Sequence, residues 1–273
     1  MTLHALRPPS PAPRIVALHC SAGGPAQWDA YRTLGDPAAC WATPALQGYD
    51  AGATWRTGTP ATLRGEAERV GALLAGTGGQ VDLVGHSYGG AVALHVAMAW
   101  PARVRSVTVY EPVLFHLLQR DPYSRGLAAE VKAVADDIAQ ELRAHASERA
   151  GERFVDYWSG RGTWARLGEG QRAAIARRMP KVSAEFGALF AATSHYRELD
   201  IPGLTVRLVT GTASPAPVRR VMELLHYLLP RATLREVPGA GHMAPVQNPK
   251  LLAPLLLPAH RPAAEWPAAG PQK

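Results

Sequence analysis

The stretch that most constrains how this chain can fold is Gln80 to Gly90, QVDLVGHSYGG. Val81, Leu83 and Val84 make a short apolar run of the kind a buried strand needs, and Gly90, Ala91, Val92 and Ala93 continue as a helix would. Between them Gly85-His86-Ser87-Tyr88-Gly89 spells G-x-S-x-G. A strand passing through this pentapeptide into a helix must turn sharply, and small residues two before and two after the serine let strand and helix approach without a Cβ clash. Such a turn lifts the Ser87 hydroxyl clear of the sheet and aims the first amides of the helix at whatever the serine attacks. The same letters also suit a glycine-rich turn with an incidental serine, so the rest of the chain has to choose.

Met1 to Pro13 carries four prolines and no periodicity, and reads as an irregular arm. RIVALHC, from Arg14 to Cys20, reads as a buried strand that ends in a loop of small residues, Ser21-Ala22-Gly23-Gly24. Trp28 and Tyr31 suggest a short helix, and Ala39 to Leu46 a weaker strand. Thr59-Pro60 offers an N-cap and a first-turn proline to a helix whose apolar face is Leu63, Val70, Leu73 and Leu74, ending at Gly76. After the elbow comes a helix to about Trp100, stopped by Pro101, then a strand from Val104 to Tyr110, closed by Glu111-Pro112.

Residues 113–199 interrupt this alternation, with helical periodicity over Leu127 to His145 and Gln171 to Arg178 and no convincing strand. Alternation resumes with a strand at Val206 to Thr210, a helix at Pro217 to Leu229, a strand at Thr233 to Val237, a loop at Gly239 to His242 and a helix near Pro249 to Leu257. The expected fold class is therefore α/β, a mostly parallel sheet flanked by helices, with an inserted helical cap. The expected divisions are a core in two parts, 1–112 and 200–257, a cap at 113–199, and a Pro/Ala-rich, disordered tail at 258–273. A site in such a sheet lies beyond the carboxyl ends of its strands.

Two further features fall at those ends. His242, in VPGAGHMAP after the last strand, is placed to accept the serine proton and return it to a leaving group, although a lone histidine there also suits a solvated surface. His19, His86 and His95 are poorer bases, because they sit in a strand end, the elbow and a helix. Acyl transfer also needs two backbone N–H donors aimed at the developing oxyanion. The residue after the nucleophile, Tyr88, supplies one; Ser21, in the loop after the first strand, is the choice for the other, with Cys20 as fallback.

Together, strand-HCSAGG, G-H-S-Y-G, a helical insertion and a final G-x-G-H resemble the α/β-hydrolase superfamily from Arg14 to about Leu257. The resemblance implies a sheet under a cap and a Ser/acid/His triad. The chain departs from the pattern at Cys20, where glycine is usual, and in an arm too short and proline-rich for two leading strands. It departs more sharply at the acid: the loop where the superfamily usually carries Asp reads Gly211-Thr212-Ala213-Ser214-Pro215-Ala216-Pro217, without a carboxylate. Glu111, at the end of the strand after the elbow helix, stands at an alternative position that some members use, a subset of haloalkane dehalogenases among them. It also reads as a mere strand-end carboxylate. The dehalogenase likeness stops there, since that chemistry, like epoxide hydrolysis, uses a carboxylate nucleophile, whereas Ser87 points to an acyl-enzyme.

The cap's Phe154, Tyr157, Trp158, Trp164 and Phe186 suit either an apolar acyl pocket or the cap's own core; Tyr157, Trp158 and Trp164 are the candidate substrate contacts. Cys20 and Cys40 lie in no metal or C-x-x-C pattern, so no metal and no cofactor is expected. The formal charge of +7 comes from arginines alternating with Glu and Ala rather than from a stripe, which argues against nucleic acid. No run approaches a membrane span, and MTLHALRPPSPAPR lacks a signal-peptide core, so a cytoplasmic protein without a membrane partner is expected. The expected function is a serine hydrolase of small carboxylic esters or related acyl compounds. A C–C bond hydrolase, lactonase or thioesterase would use the same residues, and a non-catalytic ligand receptor the same fold. Oligomeric state has no signature in the sequence.

Overall fold

The computed structural model describes residues 15–76 and 79–258. The expected N-terminal arm and the tail beyond Pro258 lie outside the described residues. The chain runs β1 (Ile15–Leu18), α1 (Asp29–Leu34), β2 (Trp41–Ala42), α2 (Leu63–Ala75), β3 (Val81–His86), α3 (Tyr88–Ala99) and β4 (Val104–Tyr110). Five helices follow: α4 (Phe115–Arg120), α5 (Arg125–Arg143), α6 (Ser147–Ser159), α7 (Thr163–Arg166) and α8 (Glu169–Ala191). Then come β5 (Thr205–Gly211), α9 (Ala216–Leu228), β6 (Thr233–Val237), α10 (Ala244–Gln247) and α11 (Pro249–Leu256).

The six strands form one sheet in the order β2-β1-β3-β4-β5-β6, and every pairing is parallel. Parallel neighbours cannot be joined by tight hairpins, so each connection crosses over a face of the sheet and both faces end up covered. Alternate residues of β3 show the result: Leu83 enters one apolar core, with α2, α3 and α9, while Val84 enters a second, with Trp28, Tyr31 and Leu252. The elbow strand is buried along its whole length, and α3 is buried from Tyr88 to Ala97. That double burial explains why Gln80–Gly90 reads as a continuous apolar run rather than an alternating one.

Three local expectations change. The α2 N-cap is Thr62, whose hydroxyl accepts from the Gly65 amide at 3.0 Å, so Thr59-Pro60 belongs to the preceding loop. The edge strand shrinks to Trp41–Ala42, because Pro44 has no N–H for a ladder and the Leu46 amide turns to His19 Nε2 at 3.1 Å. Helix α8 runs far beyond Gln171 to Arg178 and buries Met179, Val182, Phe186 and Leu189 in the core it shares with α4 to α6. Among the described residues no helix is long and apolar enough to cross a membrane.

Candidate active site

Ser87 sits between β3 and α3 with φ 57° and ψ −120°, a backbone conformation that a non-glycine residue adopts only when its surroundings enforce it. Its amide donates to the Tyr110 carbonyl at 2.9 Å and its carbonyl accepts from Ala91 at 3.0 Å, tying the turn to β4 and to α3. Crowding explains the flanking glycines. A Cβ on Gly85 would stand 2.6 Å from the Gly89 carbonyl oxygen, and one on Gly89 would stand 2.4 Å from the carbonyl oxygens of Leu18 and His19.

Three side chains from three strand ends meet here. His242 Nε2 lies 3.0 Å from Ser87 Oγ, and His242 Nδ1 lies 2.7 Å from Glu111 Oε2. With Nδ1 donating to the carboxylate, Nε2 is left as the acceptor for the serine hydroxyl. The other oxygen of Glu111, Oε1, accepts from Thr210 Oγ1 and from the Gly211 amide, both at 2.8 Å. The last two residues of β5, at the edge of the carboxylate-free loop, therefore serve as partners of the carboxylate that follows β4. Burial pushes the Glu111 carboxyl up, but the His242 contact and the Gly211 hydrogen bond outweigh it and hold the group below its ordinary range. Glu111 itself has φ 47°, which lets the chain leave β4 while the side chain turns toward His242. Serine, histidine and carboxylate are all nearly inaccessible, at 5%, 2% and 0% exposure.

The loop carrying His242 is held from three sides: His86 Nε2 donates to the His242 carbonyl at 2.9 Å, Tyr110 to Gly241 at 2.8 Å, and Tyr31 to Pro245 at 2.9 Å. The other histidines near the elbow are occupied. His19 donates through Nδ1 to the Cys20 carbonyl and accepts the Leu46 amide at Nε2, a neutral tautomer with a pKa lowered to about 4, chiefly by burial. Burial likewise drives His86 well below its ordinary value, and His95 is held by Ala91 and Ser194.

Tyr88 is the first residue of α3, where amides have no intrahelical acceptor. Neither its amide nor that of Ser21 meets an acceptor among the described residues. The fallback donor is excluded, because the Cys20 amide donates to Gln27 Oε1 at 3.0 Å. The same Gln27 donates from Nε2 to His86 Nδ1 at 3.2 Å, so one side chain locks the loop after β1 to the elbow. Nothing in the local pattern around Gln27 marked it.

Ser87 and Ser21 line a small cavity with Val113, Phe115, Phe154 and Trp158, closed on the α8 side by Val182, Glu185, Phe186 and Leu189. Its volume is about 10 Å³, enough for one water. Trp158 covers His242, with ring centroids 4.3 Å apart. The other two candidate substrate contacts fall elsewhere. Tyr157 turns its hydroxyl to Glu130 at 2.8 Å, and Trp164 packs over Gly151 in the interior of the helical block. Their positions on α6 and α7 put them on faces that hold the helices together. A roomier surface hollow, lined by Leu34, Arg207, Arg235 and Lys250, includes none of these residues.

The sequence profile of the alpha/beta hydrolase family matches residues 15–255, nearly the whole chain. The chain belongs to that family. Solved structures share the fold at low identity. A thermophilic esterase from Thermogutta terrifontis aligns at 19% identity and a TM-score of 0.67, covering 90% of this chain and 88% of the esterase. MenH from S. aureus aligns at 12% identity and 0.67, covering 90% and 92%. A carboxylesterase structure from the thaumarchaeon Nitrososphaera gargenis aligns at 17% identity and 0.66, covering 90% and 88%. No curated protein matches the chain.

This hydrolase also holds a buried ionic cluster that sequence reasoning missed. Lys181 Nζ lies 2.7 Å from Glu66 Oε1 and 3.2 Å from Glu185 Oε1, and all three side chains are at most 1% exposed. The i,i+4 spacing of Lys181 and Glu185 would ordinarily indicate a solvated helix face.

Proposed function

We propose that the protein is a serine hydrolase that cleaves small carboxylic esters through an acyl-enzyme. The observation that carries the reading is the hydrogen-bonded series Ser87–His242–Glu111, with Ser87 on a strained elbow in a chain of this family. In the proposed reaction His242 takes the serine proton through Nε2 as Oγ attacks the ester carbonyl, and Glu111 fixes the tautomer and stabilises the imidazolium. The free amides of Tyr88 and Ser21 hold the oxyanion, assisted by the N-terminus of α3. His242 then protonates the departing alkoxide. Water attacks the acyl-enzyme with His242 again as base, releasing the carboxylic acid and restoring Ser87.

The helices α4 to α8 act in this reading as a cap over Ser87, with Trp158 and the phenylalanines as an apolar roof. The small cavity implies that they part to admit substrate.

A fluorophosphonate probe tests the reading. Wild type should be labelled and should turn over short-chain p-nitrophenyl esters, whereas Ser87→Ala should do neither. Absence of labelling under native conditions would reassign the fold to ligand binding without catalysis. Thioester, lactone and C–C substrates run alongside the esters would define the scissile bond.

A further inference from the structure

The cavity beside Ser87 has apolar walls apart from two serines and one carboxyl. Glu185, from α8, lines it together with Ser21 and Ser87, and its carboxyl is 1% exposed. The hydroxyls of Ser21 and Tyr49 approach it, but among the described residues neither of its oxygens is met in full hydrogen-bond geometry. Lys181 Nζ stands 3.2 Å from Oε1, but that ammonium is already committed to Glu66 at 2.7 Å and lies over the rings of Trp55 and Tyr88, each at 4.9 Å from the centroid. Glu66 is in turn satisfied by the Gln47 amide at 2.9 Å. The cluster thus buries two carboxyl groups with one ammonium, and the carboxyl left over is the one at the cavity.

A buried carboxyl whose neighbouring donors stand off the hydrogen-bond axis is under-satisfied, and such a group is completed where a ligand supplies a better-placed donor. The position of Glu185 indicates what that is. A leaving group has to escape toward solvent after the first step, whereas the acyl group stays on Ser87 until water releases it. Once the cap helices part, the space at the nucleophile is therefore the place for the acyl group. Resting on the serine-hydrolase reading above, we propose that Glu185 is a recognition residue whose carboxyl binds a hydrogen-bond donor, a hydroxyl or an ammonium, carried by the acyl group of the substrate. The natural substrates on this account are esters of short hydroxy or amino acids rather than plain alkanoates. Burial, reinforced by Glu66 and opposed by Lys181, Ser21 and Tyr49, raises the Glu185 carboxyl above its ordinary range, consistent with a group whose neighbours leave its charge incompletely compensated.

The test compares p-nitrophenyl butanoate with its 2-hydroxy, 3-hydroxy and 3-ammonio analogues in wild type, Glu185→Gln and Glu185→Leu. A site that hydrogen-bonds its substrate rejects the analogue lacking the group, so wild type should favour at least one substituted ester by about tenfold or more in kcat/KM. Glu185→Leu should bring that ratio to unity or below. Glu185→Gln keeps a carbonyl acceptor and no charge, so it should retain a preference for hydroxyl and lose one for ammonium, which identifies the donor. If either variant fails to fold, calorimetry on Ser87→Ala supplies the measurement: substituted methyl esters should bind about tenfold more tightly than methyl butanoate. Equal ratios in all three proteins, or equal affinities in Ser87→Ala, overturn the proposal. Fluorophosphonate labelling with flat ratios sinks only this inference, whereas a wild type that is neither labelled nor active sinks the hydrolase reading beneath it.

Discussion

Glu111 ends a strand with positive φ, faces His242 with one oxygen, and takes Thr210 and Gly211 with the other. Replacing it by Gln would present an amide where Nδ1–H needs an acceptor and would favour the wrong imidazole tautomer. We expect Glu111→Gln to lower kcat on p-nitrophenyl butanoate by about 10⁴-fold, with the melting curve showing that the fold survives. Activity near wild type would remove Glu111 from the reaction. Ser87, Glu111 and His242 were recognisable as candidates because each sits at a strand end where the chain is punctuated by glycine or proline. Gln27 and Glu185 were not, since a glutamine in a single helical turn and a glutamate in an i,i+4 pair look the same in sequence whether they meet solvent or a partner.

At the scale of elements, the approach of α3 to β1 decides whether the elbow forms. Gly89→Ala puts a methyl group within 2.4 Å of two backbone carbonyls that cannot swing aside. It should cost about 2–4 kcal/mol in chemical denaturation, with loss of probe labelling as Ser87 and the Tyr88 amide shift together. Gly126→Ala in α5, where a Cβ meets nothing within 4 Å, is the matched control. It should be neutral or stabilising by up to about 1 kcal/mol. A Gly89→Ala protein as stable as wild type would contradict the packing described here. Elements with strong boundaries, such as β4 before Glu111-Pro112 and β6 before its glycine loop, were legible from local chemistry. The α2 cap, the length of β2 and the extent of α8 were not, because partners distant in sequence set them.

Across the whole molecule, buried histidines link stability to pH. Burial lowers His19 and His116 to about 4, and drives His86 well below its ordinary value. A base with a depressed folded pKa stays neutral in the native state while the unfolded chain takes up its proton, so stability present at neutral pH is lost as pH falls below about 6.5. His19 and His116 should each contribute roughly 2 kcal/mol of loss by pH 5. Glu111, with its folded pKa lowered, adds a further loss only as pH falls through the carboxylate range and below. Melting temperatures measured between about pH 7.5 and pH 5 should fall steadily, and a flat profile would refute the account of these histidines as buried and neutral. The sequence by itself determined the parallel α/β plan, the serine elbow and the histidine loop, because periodicity and turn chemistry act between near neighbours and leave their marks in adjacent letters. Only the tertiary structure decided that the orphan carboxylate of β4 reaches His242, that Trp158 alone of the three nominated aromatics meets the site, and that a lysine and two glutamates lie buried beside it. Those outcomes depend on which surfaces the crossovers press together, a property of distance in space that a linear pattern does not carry.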